Sequence, residues 1–206
     1  IERFEKYGRS YKTLGWGSVE SQFLRFEVLA DVANLADSSV CDIGCGFGDM
    51  YAYLVKRYGK IRYYGIDICP TLIEEAKKQF PEAIFETRNI LADPPDKKFD
   101  YVMASGVLTY KTCENHLEYV EKMLLTMWDL CEKGLAVNFL TKYVDYELEK
   151  DFHYSPEQAF TMAMKLSRWI TLRHNYPLYE FTLYIYRDSV PSGILKKNDN
   201  KQNQKN

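Results

Sequence analysis

The sequence predicts an α/β fold, in which helices cover both faces of a seven-stranded, mostly parallel sheet that ends in an antiparallel β-hairpin. A short apolar strand at residues 39–43 runs directly into a loop with glycine at positions 44, 46 and 48. Up to about residue 140, further apolar strands alternate with amphipathic helical segments. This alternation is typical of right-handed βαβ units and of a parallel sheet.

The elements follow one another in a regular order. The first long helix is predicted to run from Ser18 as N-cap, with Ser21 as the alternative cap, to about Leu35, because its apolar residues form a broad stripe. After the glycine loop, a second helix is predicted at residues 47–58. The other elements before residue 141 are predicted as strands at 61–66, 83–87, 99–104 and 135–140 and helices at 70–80 and 113–130.

The last third of the chain departs from this rhythm. A polar and aromatic connection leads to a helix capped by Ser155 and predicted to end near Ser167. Residues 169–174 and 180–187 have the composition of two strands joined by a short loop, which predicts an antiparallel hairpin. Together these elements predict a Rossmann-like three-layer sandwich.

The length of 206 residues fits one domain with its own core. We therefore expect a single domain over residues 1–190, in which residues 1–36 form an N-terminal lid segment and helix. Residues 191–206 are expected to be a disordered tail, since residues 196–206 contain no apolar side chain. The chain begins at Ile1 rather than Met, so residues before it are expected to be missing.

Composition argues against several classes of partner. The net charge of -2 gives no field that attracts nucleic acid, so no nucleic-acid partner is expected. The five cysteines form no C-x-x-C pair, which favours reduced thiols in a cytoplasmic protein without a metal site. No apolar run is long enough to span a membrane, and no membrane partner is expected. A monomer or a homodimer is expected.

The glycine loop is predicted to hold a ligand. Alternating glycines after a strand let the backbone turn sharply and approach a ligand that a Cβ would exclude. The spacing is G-x-G-x-G rather than the G-x-G-x-x-G of dinucleotide sites, and Asp42 precedes the first glycine on the strand. A carboxylate there would repel a pyrophosphate and suits a cationic or amine-bearing ligand.

A second acidic residue, Asp67, ends the next strand and is placed to accept hydrogen bonds from a ribose diol. The segments Asp42-Ile43-Gly44-Cys45-Gly46-Phe47-Gly48 and Tyr64-Gly65-Ile66-Asp67-Ile68 together resemble two motifs of the class I methyltransferases that depend on S-adenosylmethionine (SAM). The first is similar to the glycine-rich motif I and the second to the acidic loop of motif II. The resemblance covers roughly residues 18–187.

The resemblance implies SAM as cofactor and assigns its methionine and ribose contacts. Asp42 would contact the amino group of the methionine portion, directly or through water. Gly44, Cys45 and Gly46 would give backbone contacts to the ribose and methionine carbons. Asp67 would hold the ribose hydroxyls.

The resemblance also implies contacts to the adenine and to the methyl-bearing end of SAM. Ile68 would flank the adenine, with Asn89 and Ile90 after the third strand near its amine. Asn offers a donor and an acceptor for an adenine edge, although an asparagine in a plain turn is the alternative. Ser105 and Gly106 lie where family members touch the methionine and the substrate.

The N-terminal segment is expected to act as a lid. In the family, a helix before the first strand often covers the cofactor, which makes Trp16, Gln22 and Arg25 candidate contacts to the methionine end. Arg25 would pair with the methionine carboxylate, unless it is an ordinary solvated helix residue. Residues 1–18 mix aromatic side chains with glycines, so we expect this segment to be mobile and to close over bound ligands.

One motif, Asp93-Pro94-Pro95-Asp96, is similar to the [DN]-P-P-[YF] of methyltransferases that act on adenine or on amide nitrogen. In those families it follows the fourth strand and ends in an aromatic residue. Here it precedes that strand and ends in Asp. It is therefore interpreted as a surface turn, which removes the main support for a DNA or glutamine methyltransferase.

Candidate acid–base groups are few. His153 lies in the connection above the carboxyl ends of the strands, and His174 ends a strand of the hairpin, so both are candidates for a catalytic base. A surface or packed position is the alternative for each. Four further residues complete the predicted substrate pocket: Tyr11, Tyr110, Asn138 and Tyr143.

The sequence thus predicts a SAM-dependent methyltransferase that transfers a methyl group to O or N of a small molecule. Two alternatives remain open at this point. The chain could use SAM in another reaction, by intramolecular displacement or carboxypropyl transfer, or it could be a catalytically silent SAM-binding module.

Overall fold

The computed structural model describes residues 2–189, and the tail expected at 191–206 lies outside them. Within this range the strands are β1 Ser39–Ile43, β2 Arg62–Asp67, β3 Ile84–Thr87, β4 Phe99–Ala104, β5 Cys131–Leu140, β6 Trp169–Arg173 and β7 Glu180–Tyr186. The helices are α1 Glu2–Tyr7, α2 Val19–Ala30, α3 Asp49–Tyr58, α4 Pro70–Gln79, α5 His116–Asp129 and α6 Pro156–Met164. Over the described range, no helix combines the length and apolar character needed to cross a membrane.

The strands form one sheet in the order β3-β2-β1-β4-β5-β7-β6. Strands β1 to β5 pair in parallel, whereas β7 pairs antiparallel with both β5 and β6. The predicted mostly parallel sheet with its antiparallel hairpin is confirmed. The chain leaves β1 toward β2 on one side and returns to β4 on the other, and such a reversal point opens a crevice at the carboxyl ends of the strands.

Alternate strand residues face two helical layers, as the two-residue period of a strand requires. Val40 and Met103 pack in the core that includes residues of α2, α3 and α4. Cys41 and Val102 pack in the opposite core with residues of α5 and α6. Both faces of the sheet are therefore buried, which gives the predicted three-layer sandwich.

The first long helix is shorter than the sequence predicts. Ser18 is its N-cap, in a capping box with Ser21, but the helix ends at Ala30 instead of Leu35. Asp31, which follows, forms ion pairs with Arg57 at 2.5 Å and with Arg173 at 2.7 Å. The apolar stripe marked residues that are buried as far as Leu35, except for Phe23, which is 42% exposed. The chain beyond Asp31 is nevertheless no longer helical.

Most other boundaries lie within three residues of the predictions, but two features differ more. Strand β5 begins at Cys131 rather than at residue 135, because Cys131 pairs with Phe99 on β4. The short helix α1 was not predicted, and the ring of its Phe4 lies 5.9 Å from that of Phe47 beside the glycine loop. A helix of six residues depends on such tertiary contacts more than on its own propensity.

Candidate active site

A cavity of about 450 Å³ lies at the carboxyl ends of β1, β2 and β4, where the sheet topology opens a crevice. It lies between the glycine loop, the turns that follow these strands and the N-terminal segment. The predicted site residues that line it are Trp16, Asp42, Gly44, Cys45, Gly46, Asp67, Ile68, Asn89, Ile90, Ser105, Gly106 and Tyr110. Of the predicted cofactor contacts, Arg25 alone lies elsewhere.

The glycine loop takes a conformation that favours glycine. Gly44 and Gly46 have φ angles of 74° and 54°, in the left-handed region. The backbone N–H groups of Gly44 and Cys45 both donate to the Ile66 carbonyl, which ties the loop to β2. A Cβ on Gly44 would overlap the Val107 side chain, and one on Gly46 would lie 3.0 Å from Leu14. The loop therefore allows close approach from the cavity side.

Asp67 connects the glycine loop to the turn after β2. Its Oδ2 accepts a hydrogen bond from the Gly46 N–H at 3.0 Å, and its Oδ1 accepts one from Cys69 at 2.9 Å. Burial raises the pKa of this carboxyl, while the two backbone donors act in the opposite direction. The carboxylate is thus fixed at the cavity wall, where it can also accept hydrogen bonds from a diol.

Asp42 is only 2% exposed at the end of β1. Burial raises its pKa to about 7, although the Tyr63 hydroxyl donates a hydrogen bond of 2.5 Å that lowers it. The charged neighbours that act on it, Asp49 and Asp67, are both acidic and favour its neutral form. A cationic amino group entering the cavity would favour the ionised carboxylate and offset the free-energy cost of its burial, so Asp42 fits the role predicted for it.

The predicted adenine end of the cavity contains Ile68, Asn89 and Ile90. Ile90 is buried, whereas Ile68 is 73% exposed at the rim. The Asn89 Oδ1 accepts a hydrogen bond from the Leu91 N–H at 3.0 Å, as in an ordinary turn. Its amide nitrogen is then the group available to a ligand, so the two interpretations of Asn89 are compatible.

The loop after β4 forms the opposite wall. Gly106 donates its N–H to Asn138 Oδ1 at 2.8 Å, and the Trp16 ring covers Gly106 so closely that a Cβ there would overlap it. Trp16 Nε1 and Ser105 Oγ are buried without a hydrogen-bond partner among residues 2–189. Buried polar atoms of this kind usually find a partner, which a ligand in the cavity would supply.

Arg25 does not have the role predicted for it. Its Nε donates to Glu180 Oε1 at 2.7 Å and its Nη1 to the Ser21 carbonyl at 2.8 Å. The guanidinium also lies 4.6 Å from the centre of the Trp16 ring. With its side chain only 12% exposed, Arg25 is neither a solvated residue nor free to pair with a cofactor carboxylate.

A second cavity, of about 670 Å³, lies beyond this wall, over the end of β5 and the loop between β6 and β7. Arg25, Glu180 and the candidate base His153 line it. Trp16 lines the first cavity and Arg25 the second, so their stacked side chains separate the two. Asn138 is buried within the same wall and donates to Glu180 Oε2 at 2.6 Å.

Asn138 in the wall lines neither cavity, and three further predicted site residues also lie outside both. His174 is exposed at the end of β6, with its ring 6.3 Å from that of Tyr143. Tyr143 is 55% exposed and donates its hydroxyl to Glu157 at 2.7 Å. Tyr11 accepts a backbone hydrogen bond from Trp16 at 3.0 Å and thereby shapes the segment without lining a cavity. The short hairpin loop places His174 away from the site. Its position at the end of a strand in the sequence does not indicate this.

Other residues line the first cavity although the sequence did not single them out. They are Arg3, Thr13, Leu14, Phe26, Asp49, Met50, Leu72, Arg88, Val107, Thr109, Thr112, Tyr119 and Met123, besides the strand residues Ile43 and Ile66. Two had a usable signal: Asp49 directly follows the glycine loop, and Val107 follows the Ser105-Gly106 pair. Gln22, which the resemblance did suggest, also lines the cavity and donates to Asp49 Oδ2 at 3.1 Å.

The residues of the first cavity fit SAM. Two left-handed glycines, a diol acceptor at Asp67 and a buried acid at Asp42 provide the backbone approach and the charges that a ribose and an amino group need. The cavity volume lies in the usual range for small-molecule sites, about 300–1,000 Å³.

Comparison with known proteins agrees with this fit. Residues 40–129 match the family model described as "Methyltransferase domain". The protein "Putative methyltransferase Rv1506c" from Mycobacterium tuberculosis (strain ATCC 25618 / H37Rv) is 32% identical over 165 residues, which cover 77% of this chain and 99% of that protein. Trans-aconitate 2-methyltransferase from Rhodopseudomonas palustris (strain BisB5) is 30% identical over 114 residues, 50% of this chain, and the chain spans 43% of that enzyme.

Solved structures show the same fold. Magnesium protoporphyrin IX methyltransferase (ChlM) from Synechocystis PCC 6803 with bound SAH has a TM-score of 0.66 at 18% identity, covering 91% of this chain and 93% of that one. An O-methyltransferase family protein from Burkholderia thailandensis has a TM-score of 0.67 at 16% identity, covering 92% and 63%. The motifs, the fold, the cavity and these relatives agree, and the chain belongs to the class I SAM-dependent methyltransferases, with SAM as its cofactor.

Proposed function

We propose that this methyltransferase transfers a methyl group to an oxygen or nitrogen atom of a small molecule bound in the second cavity. The observation that carries the proposal is the pair of neighbouring cavities, separated by the side chains of Trp16 and Arg25. The second cavity has a volume of about 670 Å³, which suits a small organic molecule. The names of trans-aconitate 2-methyltransferase and magnesium protoporphyrin IX methyltransferase also specify small-molecule acceptors.

In this proposal the chain mainly binds and orients. When bound, SAM supplies a methyl group already activated on a sulfonium, so alignment and exclusion of water are the main requirements. Asp67 would hold the ribose hydroxyls, Asp42 the amino group, and the backbone at Gly44 and Gly46 would lie against the cofactor. Trp16 would exclude water where the two cavities meet.

His153 is the candidate base that supports transfer to a hydroxyl. Its side chain is 8% exposed and lines the second cavity, and its Nδ1 is buried without a hydrogen-bond partner among residues 2–189. A neutral imidazole at this position could take a proton from an acceptor hydroxyl at Nδ1. An amine acceptor that sheds its proton to water would not need this step.

The test is a product assay with the purified chain, SAM and fractionated cell extract, read by mass spectrometry. We expect S-adenosylhomocysteine (SAH) to form together with a product that is heavier than its precursor by one methyl replacing one hydrogen. Formation of methylthioadenosine with a carboxypropylated product would instead indicate the other type of SAM reaction. Tight SAM binding with no product from any fraction would favour a silent binding module.

The N-terminal segment is proposed to close over the cofactor. Leu14 lies against Gly46 and Trp16 against Gly106, so the segment covers the cavity from both ends. We expect amide hydrogen exchange of residues 7–18 to slow when SAH is added, because the bound ligand would contact this segment and stabilise its closed position. Trp16→Ala should reduce turnover more than it reduces the free energy of unfolding.

Tyr11→Ala is the matched control, because Tyr11 belongs to the same segment but lines neither cavity. It should leave turnover close to that of the unaltered chain. Exchange rates that do not change with SAH would refute the lid and leave the cofactor assignment intact.

A further inference from the structure

The charged groups of the second cavity are unequally compensated. Its charged lining residues are Arg25, Asp151 and Glu180. Arg25 and Glu180 form an ion pair with each other, and Glu180 Oε2 accepts a further hydrogen bond from Asn138 at 2.6 Å. Both side chains of this pair therefore have hydrogen-bond partners, and their opposite charges largely cancel. The remaining charge of the lining is the carboxylate of Asp151.

Asp151 is half-buried, and its Oδ1 atom is buried without adequate partners. Its side chain is 13% exposed, and its Oδ1 has no hydrogen-bond partner among residues 2–189. The Lys150 ammonium lies 4.0 Å away, beyond hydrogen-bonding distance, and this lysine side chain is 54% exposed, so that water screens its charge. A buried acceptor in this state gains free energy when a ligand brings a donor.

The surroundings of Asp151 favour a positive donor. His153, two residues further on, is the second lining residue with a buried, unpartnered polar atom in the described part of the chain. The preceding segment carries exposed acidic residues at positions 145, 147 and 149, and water screens their charges as it screens that of Lys150. The partly buried carboxylate of Asp151 is therefore the charge that disfavours an anionic ligand and attracts a cation.

The rest of the lining is apolar or aromatic. It consists mainly of Leu140, Val144, Tyr146, Leu148, Tyr176, Pro177, Leu178 and Tyr179. Tyrosine rings provide contact area for an apolar body, and their faces attract a cation within about 6 Å. A ligand with an apolar body and a positively charged end therefore matches the lining.

Asp151 also lies where the two cavities approach each other. It pairs with Tyr110 in an antiparallel bridge, and the next residue, Phe152, donates its N–H to the Thr109 carbonyl at 2.8 Å. Thr109 and Tyr110 line the cofactor cavity. A group held by Asp151 is thus next to the wall that faces the cofactor.

We propose that the second cavity binds an organic amine, with its protonated nitrogen hydrogen-bonded to Asp151 and its apolar body against Tyr176 and Leu178. This inference rests on the proposed function, in which this cavity holds the methyl acceptor. The protonated nitrogen has no lone pair and serves as the anchor, so the methyl group goes to another oxygen or nitrogen atom of the same molecule.

A carboxylate acceptor, such as the trans-aconitate of a relative's name, would need a free cation. Of the two basic side chains of the lining in the described chain, Arg25 is already paired with Glu180. The other, His153, has the Glu147 carboxylate 3.9 Å from its Nδ1.

The test compares three probes of similar shape: 2-phenylethylamine, 2-phenylethanol and phenylacetate. Each is titrated into the full chain saturated with SAH, and binding is measured by calorimetry. The amine should bind about 10- to 100-fold more tightly than the alcohol, as expected for a hydrogen bond to a charged group, and phenylacetate should bind most weakly. Asp151→Asn should remove the preference for the amine and leave the affinity for the alcohol unchanged.

Glu149→Gln is the matched control, since Glu149 is an exposed carboxylate of the same segment and should keep the amine preference. Tightest binding of phenylacetate would overturn the inference, and so would an unchanged amine affinity in Asp151→Asn. The ranking of the probes on the unaltered chain needs no variant to fold. An amine preference without methylated product from any acceptor would support the amine site and overturn the proposed methyl transfer.

Discussion

Replacing Asp42 by asparagine is expected to stabilise the cofactor-free protein against unfolding as the pH rises, while weakening its affinity for SAH. Burial raises the pKa of Asp42 from 3.8 to about 7. Between these two values the folded state keeps a proton that the unfolded state has lost, so the free energy of unfolding falls with rising pH. At about 1.4 kcal/mol per pKa unit, this loss amounts to about 4 kcal/mol across the window.

Asparagine does not ionise, so the difference in unfolding free energy between variant and unaltered chain should grow from about pH 4 to about pH 7 and then level off. Denaturant unfolding at a series of pH values measures it. Calorimetry should show SAH affinity lowered by about 1.5–3 kcal/mol, because the amino group loses a charged acceptor. Asp100→Asn is the contrasting control: ion pairing with Lys133 lowers the pKa of Asp100, so that this variant loses stability at neutral pH. A pH-independent difference for Asp42→Asn would contradict the assignment.

The Gly44→Val substitution is expected to abolish measurable SAH binding. Valine at a φ of 74° costs about 1–3 kcal/mol in backbone strain, and its side chain would overlap Val107. Relief requires the glycine loop and the loop after β4 to move, and both form walls of the cofactor cavity. Gly46→Val should act similarly through Leu14. Calorimetry measures the binding, and circular dichroism checks that the domain is folded.

Gly59→Val separates backbone strain from effects on the site. Gly59 has a φ of 76°, close to that of Gly44, but its Cβ would point into open space at the end of α3. This variant should lose stability through backbone strain and keep its SAH affinity. Equal loss of binding in both variants, or an unfolded Gly44→Val domain, would show that the glycines act on the fold rather than on the ligand.

Local patterns were sufficient to predict most of the fold. Strands β1 and β4 have the bounds that the sequence predicts, because each is a short apolar run between turn-forming residues. The end of α2 at Ala30 could not be predicted in this way. The ion pairs of Asp31 with Arg57 and Arg173 come from distant elements, and the apolar stripe continues past the helix.

Site residues whose position follows from the order of the strands along the chain were predictable. Those that depend on the path of a loop or on a distant side-chain partner were not. Asp42 and Asp67 end adjacent parallel strands, so the topology brings them together at one edge. His153 and His174 also come from segments near this edge, but only His153 lines a cavity, because the path of a loop decides it. The partner of Arg25 is a single glutamate in a distant strand, which no local pattern indicates.

The Arg25–Glu180 ion pair has a consequence for the order of folding. The two residues are 155 positions apart, so bringing them together requires closure of nearly the whole chain. During synthesis from the N-terminus, the glycine loop is complete long before β7 leaves the ribosome. The Arg25 guanidinium, which stacks on Trp16, can pair with Glu180 only after β7 has inserted beside β5. The wall between the two cavities is therefore completed only once β7 has joined the sheet.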